Sequence, residues 1–334
     1  MDCFSGIRGR ARRAMLMAIV GIALVAASGL AAAAEYPEKP IKIIVAYPAG
    51  GATDVIARLI GARLGERLKQ SVVVENRPGA SGMIGSDFVA KSPADGYTLI
   101  YTAADTHSLN PHVFTKIAYD AKREFTPVAL SGYNPFALIV KTALPITHVA
   151  QFVALAKERP GQLTFASWGI GSSAHVGMEM FKENAKIDLL HVPFQGAAPA
   201  ITAVMGAQID AMMVPLTLAE PNHRAGKVRM IAVATPRRSA GAPDVSTLIE
   251  QAVPLTIAPW QGFLAPANLP TAIVALLNRE INAVLSDPQV REQLLKSGLE
   301  VTTDTPQEFK NFLDAEYERW GKTIRQAKIK IEAP

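Results

Sequence analysis

The sequence contains a single cysteine among its 334 residues, and it lies at position 3. One thiol cannot form an intrachain disulfide or a cluster of cysteine metal ligands, so disulfide-stabilised and zinc-finger-like folds are excluded. The sequence also lacks a Gly-x-Ser-x-Gly motif, a His-Glu-x-x-His motif and the Lys-Ser/Thr pair that completes a P-loop. We therefore expect no enzymatic activity, no cofactor and no metal site.

Long apolar runs are confined to the first 34 residues, which we interpret as a cleaved secretory signal peptide. Four arginines lie within residues 1–13, an apolar run follows from Ala14 to Leu30, and four alanines end at Ala34. A membrane anchor is the alternative, because the run nearly reaches the ~20 residues that span a bilayer. Cleavage near Ala34 predicts export to the periplasm. It also removes Cys3 and lowers the net charge from +5 to +2, so nothing in the charge favours nucleic acid as a partner.

Strands and helices alternate along the rest of the chain. Ile41–Ala46 is a β-branched run that ends at a Pro/Gly turn, and apolar residues at helical spacing follow from Ile56 to Leu68. The same alternation recurs between residues 163 and 234. It favours an α/β fold with a largely parallel sheet. The segments Gly132–Pro135 and Ala258–Phe263 are interpreted as connections between two domains.

Two glycine turns between a strand and a helix are candidate ligand sites. They are Tyr47–Asp54 and Phe165–His175. Glycines let the backbone turn sharply, so that free amides of the following helix face a ligand. Such amides and the positive end of the helix dipole bind anions. An ordinary turn in which Thr53 or Asp54 caps the helix is the alternative for the first segment.

The second turn offers neutral hydrogen-bond donors. Its glycines and Ala174 match a dinucleotide-binding pattern, but in an exported protein this match is weak evidence for nucleotide binding. We favour a helix N-terminus at which Ser172, Ser173 and the glycine amides hold a carboxylate. His175 either donates a hydrogen bond to the ligand or has a structural partner.

Polar residues at other strand ends extend the candidate site. Asp105–His107 follow the predicted strand Leu99–Thr102, and ligand crevices form at the carboxyl ends of strands in open α/β sheets. Pro111 separates His107 from His112, which argues against a metal site on one helical face. Gln195 lies in a polar turn after another predicted strand.

Four blocks of sequence stand out by their order and spacing. They are Tyr47–Asp54 with Asn76–Ala80, Ser92–Leu99, Gly169–His175 with His191–Gly196, and Trp260–Ala267. Together they resemble one family over nearly all of the chain after residue 34. This family is the Bug-type receptors, the extracytoplasmic solute-binding proteins of tripartite tricarboxylate transporters.

The resemblance implies a fold and a function. The fold would be α/β and like that of type II periplasmic binding proteins, with two lobes joined by two crossing hinge segments around a ligand cleft. Lobe 1 would comprise residues 35–136 and 259–334, and lobe 2 residues 137–258. The protein would be a monomeric periplasmic receptor for a small organic carboxylate, such as a dicarboxylate or an aromatic carboxylate. It would deliver this ligand to the membrane subunits of a tripartite transporter or to a sensor protein.

The resemblance also implies which residues bind the ligand, because the family's glycine turns hold a carboxylate with backbone amides, small hydroxyls and waters. One jaw would contain Tyr47, Ala49, Gly51, Thr53 and Asp54, the other Ser167, Trp168, Gly171, Ser172, Ser173 and His175, and the remaining space would be lined by Asp105, Thr106, His107, Gln195 and Pro215.

Three features depart from the family pattern, and two other functions remain as alternatives. Ala203–Ala207 lacks the acidic residue that the family usually has there, Thr247–Ala252 replaces a Thr-x-x-Glu-x-Gly segment, and Trp168 stands where the family usually has a small residue. Trp168 either stacks on a bulky ligand or covers the hinge. An exported α/β hydrolase would use Ser172 or Ser173 with His175, although side chains two or three residues apart at a helix start point in different directions. A structural or adhesive protein would bind no ligand.

Overall fold

The computed structural model describes residues 36–326, so the predicted signal peptide and its cleavage near Ala34 lie outside the described residues. Within residues 36–326, the strands are β1 (Ile41–Val45), β2 (Val72–Asn76), β3 (Thr98–Ala103), β4 (Phe125–Tyr133), β5 (Phe136–Lys141), β6 (Thr164–Ser167), β7 (Leu190–Pro193), β8 (Ala211–Pro215), β9 (Val228–Val233), β10 (Trp260–Pro266) and β11 (Glu300–Val301).

The helices pack around these strands. They are α1 (Ala52–Leu68), α2 (Met83–Ala90), α3 (Asn110–Val113), α4 (Val149–Glu158), α5 (Ser173–Ala185), α6 (Ala197–Met205), α7 (Leu216–Arg224), α8 (Thr271–Ser286), α9 (Pro288–Lys296) and α10 (Pro306–Gln326). Ala80–Gly82 is a 3₁₀ turn, and Asp105–Leu109 is a turn of π-helix. No helix among the described residues combines the length and apolarity of a membrane span.

The strands form two sheets that share a five-stranded topology, which β11 extends in the first sheet. The first has the order β11-β4-β10-β3-β1-β2, and the second β7-β6-β8-β5-β9. In the first, β1 pairs in parallel with β2 and β3, and β10 runs antiparallel between β3 and β4. In the second, β6 pairs in parallel with β7 and β8, and β5 runs antiparallel between β8 and β9. In each sheet, the strand that arrives from the other sheet, β10 or β5, therefore runs against its neighbours. In the first sheet, β11 also pairs antiparallel with β4 at the edge.

The chain crosses between the sheets twice, and the two crossings lie side by side. It leaves the first sheet at Tyr133, enters the second at Phe136, and returns between Val233 and Trp260. The Asn134 amide donates to the carbonyl oxygen of Pro259 at 2.8 Å. Below, lobe 1 means the elements packed on the first sheet and lobe 2 those on the second. The residue limits of the predicted lobes stay a prediction.

One predicted connection is mostly a strand. From Trp260 onward, the segment Ala258–Phe263 is β10, in the middle of the first sheet. Gly262 belongs in that strand because an added Cβ would lie 2.7 Å from the Phe309 ring and 2.8 Å from the carbonyl oxygen of Ala129. In the sequence, a glycine at this position looks like the end of a strand. The close approach of α10 and β4 explains why Gly262 instead lies inside β10.

Apolar side chains on both faces of the sheets form the cores. All five residues of β1 except Lys42 are buried, as expected for a parallel strand covered on both sides. The C-terminal helix α10 packs on lobe 1 through Phe309 and Trp320, which are fully buried. Helices and strands thus hold the loops at the strand ends on rigid supports.

Candidate ligand-binding site

The predicted site residues lie where five strands end at their carboxyl termini. Three of these strands are in lobe 2, and two are in lobe 1. Tyr47, Ala49, Gly51, Thr53 and Asp54 follow β1; Asp105, Thr106 and His107 follow β3; Ser167 to His175 end β6 and start α5; Gln195 follows β7; and Pro215 ends β8. This placement matches the general position of ligand crevices in open α/β sheets.

The turn after β1 presents helix amides that no side chain caps. Gly51 is the N-cap residue of α1, and no side chain accepts a hydrogen bond from the first amides of this helix. Gly50 has φ = +80°, a left-handed conformation that favours glycine. The Gly50 amide donates to Asp54 Oδ2 at 2.9 Å, which fixes the turn against its own helix. The uncapped N-terminus of α1 is a donor site of the kind that binds anions.

Asp54 positions this turn with a carboxylate that is already fully engaged. It is buried, and it accepts hydrogen bonds from Asn76 Nδ2 at 2.8 Å and Arg58 Nε at 3.1 Å. Burial raises the pKa of Asp54, but the hydrogen bonds from Arg58, Gly50 and Asn76 outweigh burial and hold that pKa below its usual value. Asp54 is therefore a support for the turn, and its carboxylate has little capacity left for a ligand.

The turn after β6 is shaped by its own side chains. Ser172 Oγ donates to the carbonyl oxygen of Gly169 at 2.7 Å and accepts from the His175 amide at 3.4 Å. Ser167 Oγ also donates to the Gly169 carbonyl, at 2.9 Å. The Gly171 amide donates to His175 Nδ1 at 3.1 Å. The side chains predicted to contact the ligand thus form most of their hydrogen bonds with other residues of the turn.

His175 stacks on His191, and both rings are neutral at physiological pH. The two ring centroids are 4.0 Å apart with planes 8° from parallel, and His191 stacks in turn on Phe165. Burial and then the charge of Lys182 lower the pKa of His191 to about 4, and burial, His191 and Lys182 lower that of His175 to about 3. His175 Nδ1 accepts from Gly171, and neither Ser172 nor Ser173 donates its hydroxyl to His175. Among the described residues, the pair that the alternative hydrolase would use, Ser172 or Ser173 with His175, is therefore not formed.

The two lobes touch through the candidate loops. Asp105 of lobe 1 accepts hydrogen bonds from the Ser173 amide at 3.1 Å and from Trp168 Nε1 at 3.2 Å, both in lobe 2. Ser81 Oγ of lobe 1 donates to the carbonyl oxygen of Ile170 in lobe 2 at 3.0 Å. The structure therefore shows the lobes in contact across the cleft.

Trp168 is held at the crossing as well as at the cleft. Its indole packs edge-on against Phe136, the first residue of β5, with ring centroids 5.6 Å apart. With its N–H on Asp105 and its ring on Phe136, Trp168 contacts lobe 1 and the start of β5, where the chain enters lobe 2.

Four predicted site residues, Thr106, His107, Gln195 and Pro215, take no part in the contacts between the lobes described above. Thr106 Oγ1 hydrogen-bonds to Thr102 Oγ1 and to His107 Nδ1, both at 2.7 Å. The His107 ring packs on Phe125 inside lobe 1. Gln195 is exposed, and Pro215 is buried in register with Phe136. The structure thus brings Asp105, but not His107, into contact with the opposite lobe.

The sequence patterns miss several residues that build the site. Arg58 and Asn76 anchor Asp54, and Ser81 joins the lobes. Asn76 belongs to one of the sequence blocks that carry the family resemblance, which was its only signal. Among residues 36–326, no group of three or more His, Cys, Asp or Glu side chains is arranged to hold a metal ion.

The comparison with known proteins identifies the family. The sequence profile described as "Tripartite tricarboxylate transporter family receptor" matches residues 56–329. Protein BugT of Bordetella pertussis is 34% identical over 322 residues, which cover 95% of this chain and 98% of BugT.

Two solved structures have the same fold. "R. palustris Rpa4515 with adipate" is 34% identical with a TM-score of 0.85 and covers 89% of this chain and 100% of its own. MatC from Rhodopseudomonas palustris with bound malate is 31% identical with a TM-score of 0.81 and covers 86% of this chain and 100% of its own. The chain has the two-lobed fold of the periplasmic binding proteins and belongs to the tripartite tricarboxylate transporter receptor family.

Proposed function

We propose that this protein is an exported periplasmic receptor that binds a small organic carboxylate between its lobes and delivers it to a tripartite membrane transporter. One observation supports the proposal: in each lobe a glycine turn leads from a strand into the N-terminus of a helix, α1 or α5, and the α5 turn contacts the opposite lobe. The bound adipate and malate of the related structures support a carboxylate as the ligand.

The donors in the cleft suit an anion that is bound and later released. Helix amides and the positive end of a helix dipole attract a carboxylate without a fixed cation. Arg58, the cation nearest to the first turn along the chain, is committed to Asp54 with N–O distances of 3.0 and 3.1 Å. Because Arg58 is not free to clamp a ligand, we expect moderate affinity, since bidentate ion pairs are the stronger carboxylate contacts.

Closure of the lobes would report that the ligand is bound. A ligand that contacts both turns favours the closed state in proportion to its preference for that state. The paired crossings at Asn134 and Pro259 would act as the hinge, with lobe 1 ending near residue 136 and resuming near residue 259. A membrane partner that recognises only the closed form would receive loaded receptor.

A thermal-shift screen of the purified chain, unfolded and refolded to remove carried ligand, tests the proposal. The panel contains aliphatic, aromatic and amino carboxylates. A ligand at a hundredfold excess over its Kd stabilises the native state by about 2.7 kcal/mol. We expect an upward shift from one chemical group of carboxylates, and the ligand is recovered unchanged.

A charge introduced at the first turn supplies the matched variant. Thr53→Asp adds a carboxylate to the first turn of α1, where it favours the helix but repels a ligand anion. Thr271→Asp places the same charge in the first turn of α8, where Thr271 is exposed. Binding lost in the first variant and kept in the second supports the proposal. Binding unaffected by Thr53→Asp, or no binding of any carboxylate by the unaltered chain, overturns it.

A further inference from the structure

The carboxylate of Asp105 lies between the lobes at the place where a ligand anion is expected. Asp105 begins the π-helical turn after β3 in lobe 1, and only 4% of the residue is exposed. Its Oδ1 accepts from the Ser173 amide at 3.1 Å and its Oδ2 from Trp168 Nε1 at 3.2 Å. Both oxygens are therefore directed at lobe 2.

Asp105 occupies the anion position of the lobe 2 turn. Ser173 is the first residue of α5, a helix of 13 residues, so its amide is one of the unsatisfied donors at the helix N-terminus. The neighbouring Gly171 amide is taken by His175, and the Ser172 hydroxyl by Gly169. A second carboxylate from a ligand would find these donors engaged.

No cation neutralises Asp105 within the part of the chain that the structure describes. Burial raises the pKa of Asp105 above its usual value, and only the hydrogen bonds from Ser173 and Trp168 oppose this. Tyr47 stands close enough that Asp105, after burial itself, raises the pKa of the Tyr47 phenol. The Tyr47 hydroxyl is buried beside Thr102 and the Ala103 backbone, which lower its pKa, but within residues 36–326 it makes no hydrogen bond of good geometry. The surroundings of Asp105 thus contain a carboxylate without a cation and a weakly satisfied hydroxyl.

We propose that Asp105 determines the ligand class: it makes the lobe 2 side of the cleft a subsite for a hydrogen-bond donor, so that the ligand has one carboxylate for the α1 turn and an ammonium group for Asp105. This inference rests on the proposed receptor function and narrows it from carboxylates in general to amino carboxylates. A dicarboxylate would place two like charges side by side in a buried space, which disfavours both charged forms.

Displacement of Asp105 by a ligand carboxylate is the competing arrangement. It would leave the Asp105 carboxylate buried without the Ser173 amide and without a cation. A buried charge that loses its hydrogen-bond partner destabilises the protein by its full desolvation penalty. An ammonium group instead adds a partner to Asp105 and leaves its two existing hydrogen bonds in place. The geometry therefore favours the donor group.

Two pairs of probes of equal length separate these arrangements. Glutarate and 4-aminobutanoate each have three methylenes, and adipate and 5-aminopentanoate each have four; within a pair, only a carboxylate is exchanged for an ammonium. Calorimetry or thermal shift gives the ratio of the two affinities. We expect the unaltered receptor, without its predicted signal peptide, to bind the amino acid of a pair at least tenfold more tightly than the diacid.

Substitution of Asp105 is expected to reduce this preference. Asp105→Asn keeps the size and removes the charge, and it is expected to lower the ratio at least tenfold. Asp105→Ser, smaller and also neutral, is expected to change the ratio in the same direction, which guards against a folding defect in one variant. Glu66→Gln removes the same charge from the exposed face of α1 and is expected to leave the ratio unchanged, because Glu66 pairs only with Arg63 at the surface.

The outcomes separate this inference from the receptor function. An unaltered chain that prefers the diacids, or an Asp105→Asn variant with an unchanged ratio, overturns the inference while carboxylate binding stands. If none of the four probes binds but another carboxylate does, the inference is also wrong and the receptor function stands. If no carboxylate binds at all, both proposals fail.

Discussion

Replacing Gly171 with alanine is expected to keep the lobes from closing. Gly171 lies in the lobe 2 turn with φ = +80°, and an added Cβ would lie 2.9 Å from side-chain carbons of Val113 and Phe114 in lobe 1. These atoms face Gly171 only when the lobes are together. Gly226, also in lobe 2, has φ = +66° and no atom within 4 Å of an added Cβ, so Gly226→Ala is the matched control.

The two substitutions share one cost and differ in another. A left-handed conformation costs an L-residue about 1–2 kcal/mol, which lowers the free energy of unfolding of both variants similarly. Overpacking costs about 1–3 kcal/mol more, and only in the closed form of Gly171→Ala. That difference corresponds to a fall of roughly 5- to 150-fold in the ratio of closed to open receptor. Affinity for a ligand that bridges the lobes falls by up to the same factor, and by the full factor where the open form predominates without ligand.

Spin labels on the two lobes measure this directly. The single native cysteine, Cys3, is in the predicted signal peptide, so labels are introduced at Val73→Cys and Leu190→Cys, on exposed edge strands of the two sheets. We expect longer inter-label distances in Gly171→Ala, with the Gly226→Ala distances unchanged. Equal distances and equal ligand affinities in the two variants would refute the closure argument.

Three further predictions concern the ionisable groups. Asp54→Asn removes the charge that Arg58 and Asn76 hold, and it is expected to lower the free energy of unfolding by about 1–2 kcal/mol in urea denaturation and to weaken carboxylate binding. The pKa values of His175 and His191 are lowered in the folded chain to about 3 and 4. Below pH 6.5, the unfolded chain therefore binds more protons than the folded chain. Stability is therefore expected to fall between pH 6.5 and 4, by about 1 kcal/mol per pH unit after allowance for partial exposure, and less steeply in His191→Phe. Burial raises the pKa of Asp304 to about 6, so stability is lost as pH rises from 3.8 through 6; Asp304→Asn is expected to gain about 1 kcal/mol at pH 7.5, with the gain shrinking at pH 4.5.

The fold follows from local patterns in the sequence, apart from its long-range pairing. The β-branched run at residues 41–46 and the helical spacing after it are short-range signals, and β1 and α1 form there. The strand β10 carries no such signal, because its place in the middle of the first sheet depends on β3 and β4, which lie more than 100 residues earlier in the chain. The proline and glycine at positions 259 and 262 predict a connection between domains. Pairing with β3 and β4 overrides this local preference and forms a strand.

The position of the site follows from the glycine turns, but the function of individual side chains within it does not. Ser172 and His175 are typical ligand donors at a helix start, yet the i, i+3 spacing also allows Ser172 to cap the His175 amide. Asp105 and Ser173 are 68 residues apart in the chain, so no spacing rule predicts their hydrogen bond. Which donors are engaged within the protein is decided partly by hydrogen bonds inside the turn and partly by contacts between the lobes.

The central claim is tested most directly by a calorimetric titration of the refolded chain, lacking its predicted signal peptide, with the carboxylate that gives the largest thermal shift. The account predicts saturable binding of one ligand per chain, with the ligand recovered chemically unchanged and the heat abolished by Thr53→Asp. Heat that continues with formation of product, or the absence of saturable heat for every carboxylate in the panel, would contradict the assignment of this protein as a carboxylate receptor.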